Sequence, residues 1–353
     1  MKARIPCSIK VKRMSNKWWL LSFAALLSPL GAMFFGAADL TASELYRCAV
    51  GACQDPTNSL IFWEIRLPRV LVGFLVGAGL AVAGATLQNI TRNGLADPYL
   101  FGVVSGAGLG ASIATLLFDS SMAERWGLLQ AFPDFSFTLA LPFSAFIGAL
   151  FAVFFVQLLA SKTFGSRTEH MLLAGVAVSF MLSALSHFIL FIGEPFAANK
   201  VIFWLMGSLA RVEVWYAWVM LPVVLVSVGI LLLYGRHMDA LLLGDENAKT
   251  LGVQVTRLRI LSLAICAALT ACIVSYCGGI GFVGLMIPHI VRNWLGVTSR
   301  VVIIGSVLLG GCFMVWVDVL ARVALDNQEI PIGIITAAIG SVFFLMAMSQ
   351  RRN

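Results

Sequence analysis

Two arginines that enclose a Leu-Pro pair form the most distinctive charged motif in this 353-residue sequence. Arg66 and Arg69 stand at the start of a long apolar stretch, and the proline between them favours the first turn of a helix. Guanidinium groups fixed in this way can bind the carboxylates of a partner through strong, geometrically defined hydrogen bonds. The alternative is an ordinary interfacial role, in which two long side chains extend from an apolar helix toward water.

A second charged motif includes a run of three leucines. Residues 241–253 read LLLGDENAKTLGV, with Asp245 and Glu246 at the start of a short helical pattern and Lys249 near its end. This order of charges suits the helix dipole, and Gly252 fits a helix C-terminal cap. The pattern predicts a short amphipathic helix that either docks a partner or is an ordinary surface helix.

Residues for bond-making chemistry are missing from the sequence. It contains no G-x-x-x-x-G-K-[ST] loop for ATP phosphates and no G-x-S-x-G or H-E-x-x-H motif, and its four histidines are scattered. Cys48 and Cys53 are close enough in sequence for a local disulfide, with two free thiols as the alternative. The sequence therefore predicts no enzyme activity, no metal site and no cofactor bound by the chain itself.

The composition places these motifs in a membrane. Apolar residues make up 60% of the sequence and charged residues only 12%, with a mean hydropathy of +0.93, so a soluble domain could not cover its surface. The long apolar runs lack the alternation expected of barrel strands. We therefore predict an all-α polytopic membrane protein with about ten transmembrane helices. The predicted spans are 18–36, 62–86, 97–117, 137–160, 170–193, 213–234, 256–276, 281–296, 301–324 and 331–350.

The loop charges predict the orientation of these spans. The N-terminal tail carries six basic residues and no acid, which places it in the cytoplasm. An even number of spans puts the basic C-terminus on the same side, and the net charge of +7 reflects this topology rather than nucleic-acid binding. The predicted organisation is a cytoplasmic tail over 1–17, one ten-helix transmembrane domain over 18–350 and a C-terminal tail over 351–353. The apolar segment 199–209 is too short to span, and we expect a short or re-entrant helix packed inside the protein.

Acidic residues are nearly absent from the predicted spans. Asp318, near the outer end of the ninth span, is followed by Arg322 at the i+4 position, which predicts an ion pair on a helix surface. Ion-driven transporters usually carry acidic or histidine side chains within the bundle. Their scarcity indicates that the energy for any transport comes from another subunit.

Six motifs over residues 62–348 together resemble the BtuC/FecCD-type permeases, the membrane subunits of type II ABC importers for vitamin B12, iron–siderophores and haem. The sequence departs from the family pattern at Gly94, where many members have proline, and in an N-terminal tail longer than is typical. The motifs are RLPR (66–69), NGLADPYLFGV (93–103), LLAGVA (172–177), LLLGDENAKTLGV (241–253), GGIGFVGLMIPHIVR (278–292) and EIPIGIITAAIG (329–340).

The resemblance implies a fold and a set of partners. Family members have ten transmembrane helices with both termini in the cytoplasm, and they pair with a second copy or a paralogue around a central path. Two cytoplasmic ABC ATPase subunits use ATP to supply the energy, and a periplasmic substrate-binding protein docks on the outer face. The implied location is the bacterial inner membrane.

The resemblance also implies roles for individual residues. The basic docking residues for the binding protein match Arg66, Arg69 and Arg322, which favours the docking interpretation of the first motif. The narrow cytoplasmic gate matches Thr168 and Glu169, which differ from the small hydroxyl pair of the vitamin B12 member. The ATPase-coupling helices correspond to about 239–253, and the matching positions there are Gly244, Asp245, Glu246, Ala248, Leu251 and Gly252.

The predicted function is the permease subunit of a binding-protein-dependent ABC importer that moves an iron chelate, either a siderophore complex or haem. A vitamin B12 permease of the same family is the alternative. A self-contained secondary transporter, a scaffold without transport and an intramembrane enzyme are less favoured, because the spans contain neither a midplane carboxylate nor a catalytic pair.

Overall fold

The computed structural model describes residues 7–36, 38, 40–118, 137–163, 168–193, 195–325 and 328–349. Within those ranges the chain is built from helices and contains no β-strand, which confirms the predicted all-α class. A π-helical segment (Ile61–Arg66) joins α3 to α4, and a 3-10 turn (Pro98–Phe101) precedes α5. The helices are α1 (Cys7–Ala32), α2 (Ala42–Ala49), α3 (Pro56–Leu60), α4 (Leu67–Thr91), α5 (Val103–Phe118), α6 (Phe137–Thr163), α7 (Thr168–Ile192), α8 (Pro195–Leu205), α9 (Val214–Leu233), α10 (Gly235–Leu242), α11 (Asp245–Thr250), α12 (Val255–Cys277), α13 (Val283–Trp294), α14 (Ser299–Val323) and α15 (Ile332–Ser349).

Six helices in the described part of the chain are long and apolar enough to cross a membrane. Two shorter apolar helices, Val103–Phe118 and Ile332–Ala347, accompany them. The chain is therefore a multi-pass membrane protein, while the ten spans and the two cytoplasmic termini stay predictions. We name the two ends of the bundle outer and cytoplasmic after that predicted orientation. The six helices are Pro56–Thr91, Leu139–Ala160, Leu173–Ile192, Val214–Leu233, Val255–Cys277 and Ser299–Val323.

Two helix boundaries differ from the sequence prediction. Helix α1 begins at Cys7, inside the predicted tail 1–17. Lys, Arg and Met are good helix formers, so the helix continues through the basic segment. That segment marks the end of a membrane span, not the end of the helix. Asp97 was expected to open the third span. Its carboxylate instead accepts a hydrogen bond from the Tyr99 amide at 2.8 Å and caps the 3-10 turn, so that α5 begins only at Val103.

Glycines allow the helices around α4 to approach one another closely. Helix α4 is central and packs against α9, α12, α13 and α14. A Cβ at Gly77 would lie 2.0 Å from the carbonyl oxygen of Gly310, and one at Gly84 would lie 2.0 Å from that of Gly284. These distances leave room for glycine alone, and such small residues let membrane helices approach closely.

The predicted short helix over 199–209 is present as α8, which ends at Leu205 rather than at 209. The chain then turns at Gly207, whose φ of +74° is a left-handed conformation that suits glycine. The next amide, Ser208 N, donates a hydrogen bond to the Cys277 carbonyl oxygen at 2.9 Å. This end of the segment is therefore packed against the C-terminus of α12, inside the protein.

Candidate functional site

The three predicted docking arginines converge at the outer end of the bundle. Arg69, from α4, donates hydrogen bonds to Asp318 of α14 at 2.8 Å and to Glu329, just before α15, at 2.7 Å. Arg322, one turn after Asp318, pairs with the same carboxylate at 3.1 Å. Arg66 lies one turn before Arg69. We call these five residues the outer arginine cluster.

The turn that follows α1 covers the outer arginine cluster. Arg66 donates hydrogen bonds to the backbone oxygens of Met33 and Ala38. Arg322 donates one to the Phe35 oxygen at 3.1 Å. All three arginines of the cluster are buried. They are therefore fixed in place by backbone oxygens and carboxylates rather than free to extend toward headgroups.

The Asp318–Arg322 ion pair forms as predicted, but its expected place on a helix surface was wrong. The Asp318 side chain is only 1% exposed and that of Arg322 is 5% exposed. Helices α1 and α4 both pack against α14 and bury this face. The i+4 spacing predicts that two side chains share a face, but it carries no information about what covers that face.

An open recess of about 780 Å³ lies over the cluster at the outer end. Its wall contains all three arginines together with Glu329, whose side chain is 42% exposed. A recess with this basic lining can accept the carboxylates of a partner. The lining residues are Gly36, Ala38, Ile61, Ile65, Arg66, Arg69, Arg322, Val323, Leu325, Gln328 and Glu329.

The loop beside the recess is closed by a covalent link. The sulfur atoms of Cys48 and Cys53 are bonded to each other. Helix α2, which carries Cys48, begins with a capping box in which the Thr41 amide donates a hydrogen bond to the Glu44 carboxylate at 2.8 Å. The hydrogen bonds from Thr41 hold the pKa of Glu44 below its usual value. The outer loop is therefore structured by local contacts of its own.

The predicted coupling residues form a helix–turn–helix at the cytoplasmic end. Helix α10 stops before Gly244, whose φ of +109° lets the chain reverse into α11. Helix α11 ends at Thr250, and Gly252 (φ +82°) follows two residues later, with its amide donating a hydrogen bond to the Lys249 carbonyl oxygen at 2.9 Å. Both glycines thus occupy backbone conformations that other residues rarely adopt.

Asp245 fixes the orientation of α11 against the bundle. It accepts two hydrogen bonds from Arg259 of α12, at 2.8 and 2.9 Å. A second arginine, Arg92 at the end of α4, lies 3.1 Å from the same carboxylate. On the underside of α11, Ala248 is fully buried. The helix is therefore attached to two membrane-spanning helices by charge and packing.

The opposite side of the helix pair presents an apolar surface to the exterior. Leu242, Leu243 and Leu251 are all exposed, and the Glu246 side chain is 87% exposed beside them. Three exposed leucines around two tight turns form a compact surface of the kind that a partner protein covers.

A buried polar network that the sequence analysis missed ties α10 to the bundle. Asp239 of α10 accepts a hydrogen bond from the Ser299 amide at 2.7 Å. The Ser299 hydroxyl accepts one from Asn89 at 3.0 Å, and Arg292 donates to both Asn89 and Gln88. The available signal was the Gln-Asn pair inside the apolar α4, since polar groups in a membrane helix need partners.

The predicted cytoplasmic gate lies only partly within the described structure. Thr168 is the first residue of α7, and the side chains of Thr168 and Glu169 lie outside the described residues. The gate therefore stays a prediction. Across the part of the chain that the structure describes, no group of three or more histidine, cysteine or acidic residues could hold a metal ion.

The bundle and its cytoplasmic helix pair have the fold of an ABC importer permease. A solved structure of a metal-chelate type ABC transporter in an inward-facing conformation matches with a TM-score of 0.80 and 30% identity. The match covers 94% of this chain and 98% of the other. The protein is thus a type II ABC importer permease, a membrane subunit of the kind that works with ATPase and substrate-binding partners and is not itself an enzyme.

The chain belongs to the FecCD transport family, whose model matches residues 20–350. It is 41% identical over 295 residues to the cobalamin import system permease protein BtuC of Halobacterium salinarum, covering 84% of this chain and 75% of that protein. It is 37% identical over 345 residues to the Fe(3+)-citrate import system permease protein YfmD of Bacillus subtilis, covering 97% and 98% of the two chains.

Proposed function

We propose that this permease carries an iron chelate, either a siderophore complex or haem, into the cytoplasm. The family match over residues 20–350 carries the proposal. The Fe(3+)-citrate permease of Bacillus subtilis supports iron as the cargo metal, because it is 37% identical to this chain over 345 residues. Cobalamin is the second candidate cargo, and the 41% identity to the archaeal cobalamin permease favours it.

The proposed transport cycle uses both ends of the molecule. A loaded substrate-binding protein docks its acidic residues over the outer arginine cluster. Two ATPase subunits bind the α10–α11 pair of this chain and of a second copy or paralogue. Closure of the ATPases on ATP moves the coupling helices, and the paired permease switches from outward to inward access. Thr168 and Glu169 lie at the narrow cytoplasmic gate, and the chain itself binds no cofactor.

The cargo is tested by transport into proteoliposomes. The permease is reconstituted with its ATPase and its binding protein, and uptake of ferric siderophore, haem and cyanocobalamin is measured with and without ATP. We expect ATP-dependent uptake of an iron chelate. Uptake of cyanocobalamin alone would establish the second candidate, and uptake without the ATPase would contradict the ABC mechanism.

The coupling role is tested at the exposed apolar surface around α11. Leu251 is 64% exposed next to Gly252, and Leu251→Asp places a charge in the proposed contact. We expect this variant to lose co-purification with the ATPase, because a buried unpaired carboxylate is costly at an interface. The measurement is the ratio of ATPase to permease after affinity purification in mild detergent.

Val297→Asp is the matched control for the coupling test. Val297 is 66% exposed in the loop between α13 and α14, at the same end of the bundle but outside the helix pair. We expect this variant to keep its ATPase. Equal retention of the ATPase by the Leu251 and Val297 variants would rule out α11 as the coupling contact.

A further inference from the structure

Arg69 binds two carboxylates that differ sharply in exposure. Asp318, at 2.8 Å, has a side chain that is 1% exposed, whereas Glu329, at 2.7 Å, has one that is 42% exposed. The first carboxylate is enclosed between helices and cannot leave without exposing an unpaired buried charge. The second keeps access to water, so its release costs less than that of Asp318, and Arg69 keeps Asp318 as a partner when Glu329 leaves.

The position of Glu329 makes it part of the recess wall. It precedes α15 in a short segment whose next residue, Ile330, donates its amide to the Ala321 carbonyl oxygen at 3.1 Å. That backbone bond fixes the segment to the end of α14, and Glu329 and Arg69 both line the recess. A carboxylate that arrives from outside would meet Arg69 at the place that Glu329 occupies.

We propose that Glu329 is an internal carboxylate that binds Arg69 in the resting permease and that a partner can displace. The binding protein then docks by replacing Glu329 with a carboxylate of its own. This inference rests on the proposed docking role of the outer arginine cluster, and it adds a regulation of that same site. Glu329 keeps docking weak enough to reverse once the cargo is delivered.

The charges around the recess favour such an exchange. Arg69 already binds both Asp318 and Glu329, so it offers less positive charge to an acidic partner while Glu329 is in place. Release of Glu329 to water raises the positive charge at the recess by one unit. Because one Arg–carboxylate contact is exchanged for another, the step changes the partner of Arg69 without leaving a buried charge alone.

The experiment compares two glutamates at the outer end. The permease–ATPase complex is placed in lipid nanodiscs, and its affinity for its binding protein is measured by surface plasmon resonance. Glu329→Gln removes the internal carboxylate. Glu64→Gln is the matched control, since Glu64 is exposed two residues before Arg66 but does not line the recess. We expect Glu329→Gln to bind about fivefold more tightly than the control, because the partner no longer has to displace a charge-assisted contact of Arg69.

Two further variants separate the exchange from general electrostatics and from the docking role. Glu329→Asp keeps the charge but shortens the reach to Arg69, and we expect it to tighten binding as well. Gln328→Glu adds a carboxylate to the recess wall. If the recess is the docking surface, this variant should bind the binding protein more weakly. The exchange is overturned if Glu329→Gln binds no more tightly than Glu64→Gln. If Gln328→Glu also has no effect, the docking role itself fails.

Discussion

An aspartate held by two arginines occurs at each end of the bundle, in opposite environments. At the outer end Asp318 lies 2.8 Å from Arg69 and 3.1 Å from a second arginine, and its side chain is 1% exposed. At the cytoplasmic end Asp245 lies 2.8 Å from Arg259 and 3.1 Å from a second arginine, with 32% of its side chain exposed. The distances to the two arginines are nearly the same at both ends, whereas the exposed fraction of the aspartate side chain differs.

Burial decides what each group of charges can do. Ions removed from water depend on one another, so the loss of one partner leaves a costly orphan. The outer group therefore fixes α4 to α14 and cannot rearrange as a whole. Ions that keep access to water lose little when a partner leaves. The cytoplasmic group orients α11 but still allows the helix to shift when an ATPase moves.

The largest expected effect comes from breaking the buried group. Asp318→Asn leaves Arg69 and Arg322 without their shared carboxylate, and we expect a loss of about 3–5 kcal/mol in the free energy of unfolding. The measurement is reversible unfolding in mixed micelles with increasing SDS. The double variant with Arg322→Gln should recover part of the loss, because Arg69 keeps Glu329 at 2.7 Å whereas Arg322 loses the carboxylate with which it pairs. A loss below about 1 kcal/mol would mean that water reaches the cluster.

The disulfide tests whether the outer end is fixed by covalent chemistry as well. Replacing both Cys48 and Cys53 with serine opens a short loop, and we expect a loss of about 2 kcal/mol from the chain-entropy relation. Reductant should lower the stability of the native chain to that of the variant and leave the variant unchanged. Labelling of both thiols by a maleimide without reductant would contradict the bond.

The two ends also differ in how far the sequence predicts them. The cytoplasmic helix pair depends on contacts within a few residues, such as the Gly252 cap and the acids at the start of α11, and the sequence alone indicated both. The outer arginine cluster depends on long-range contacts. Asp318 was assigned to Arg322 four residues away, whereas its 2.8 Å partner is Arg69, 249 residues away. Spacing along one helix cannot report such a contact.

The same distinction applies to the fold. Apolar runs and basic loops predict the number and direction of helices, because each signal lies within one segment. Neighbours in the bundle are set by packing across segments, such as the close approach of α4 to α13 at Gly84 and to α14 at Gly77. The polar network from Asp239 to Arg292 was not predicted. Its members lie on four different helices, and each helix contributes only neutral residues or one charged residue to it.

A smaller effect is expected at the exposed aspartate. Asp245→Asn should cost only about 1 kcal/mol in the free energy of unfolding, since Arg259 can turn to water. Because α11 loses its fixed orientation, we expect transport to fall by about fivefold or more, within the range of measured coupling energies. Val297→Asp is again the control, since Val297 is 66% exposed at the same end of the bundle and lies outside the helix pair. Equal transport by both variants would separate Asp245 from coupling.

The smallest effect is expected at Lys249, which pairs with Glu246 at 2.9 Å while both side chains are largely exposed. The hydrogen bond and the charge of Glu246 raise the pKa of Lys249. A raised pKa of a basic group means that its contribution is complete below the ordinary lysine value and is lost only as the pH rises through the folded value. The contribution of Lys249 to stability is therefore constant from pH 6 to pH 9, and it is small because the ion pair is exposed. Lys249→Gln should leave the unfolding midpoint about unchanged over that pH range. A variant that keeps its stability but loses ATPase binding would show that this lysine serves the partner rather than the fold, which is the role that exposure predicts for the charges on α11.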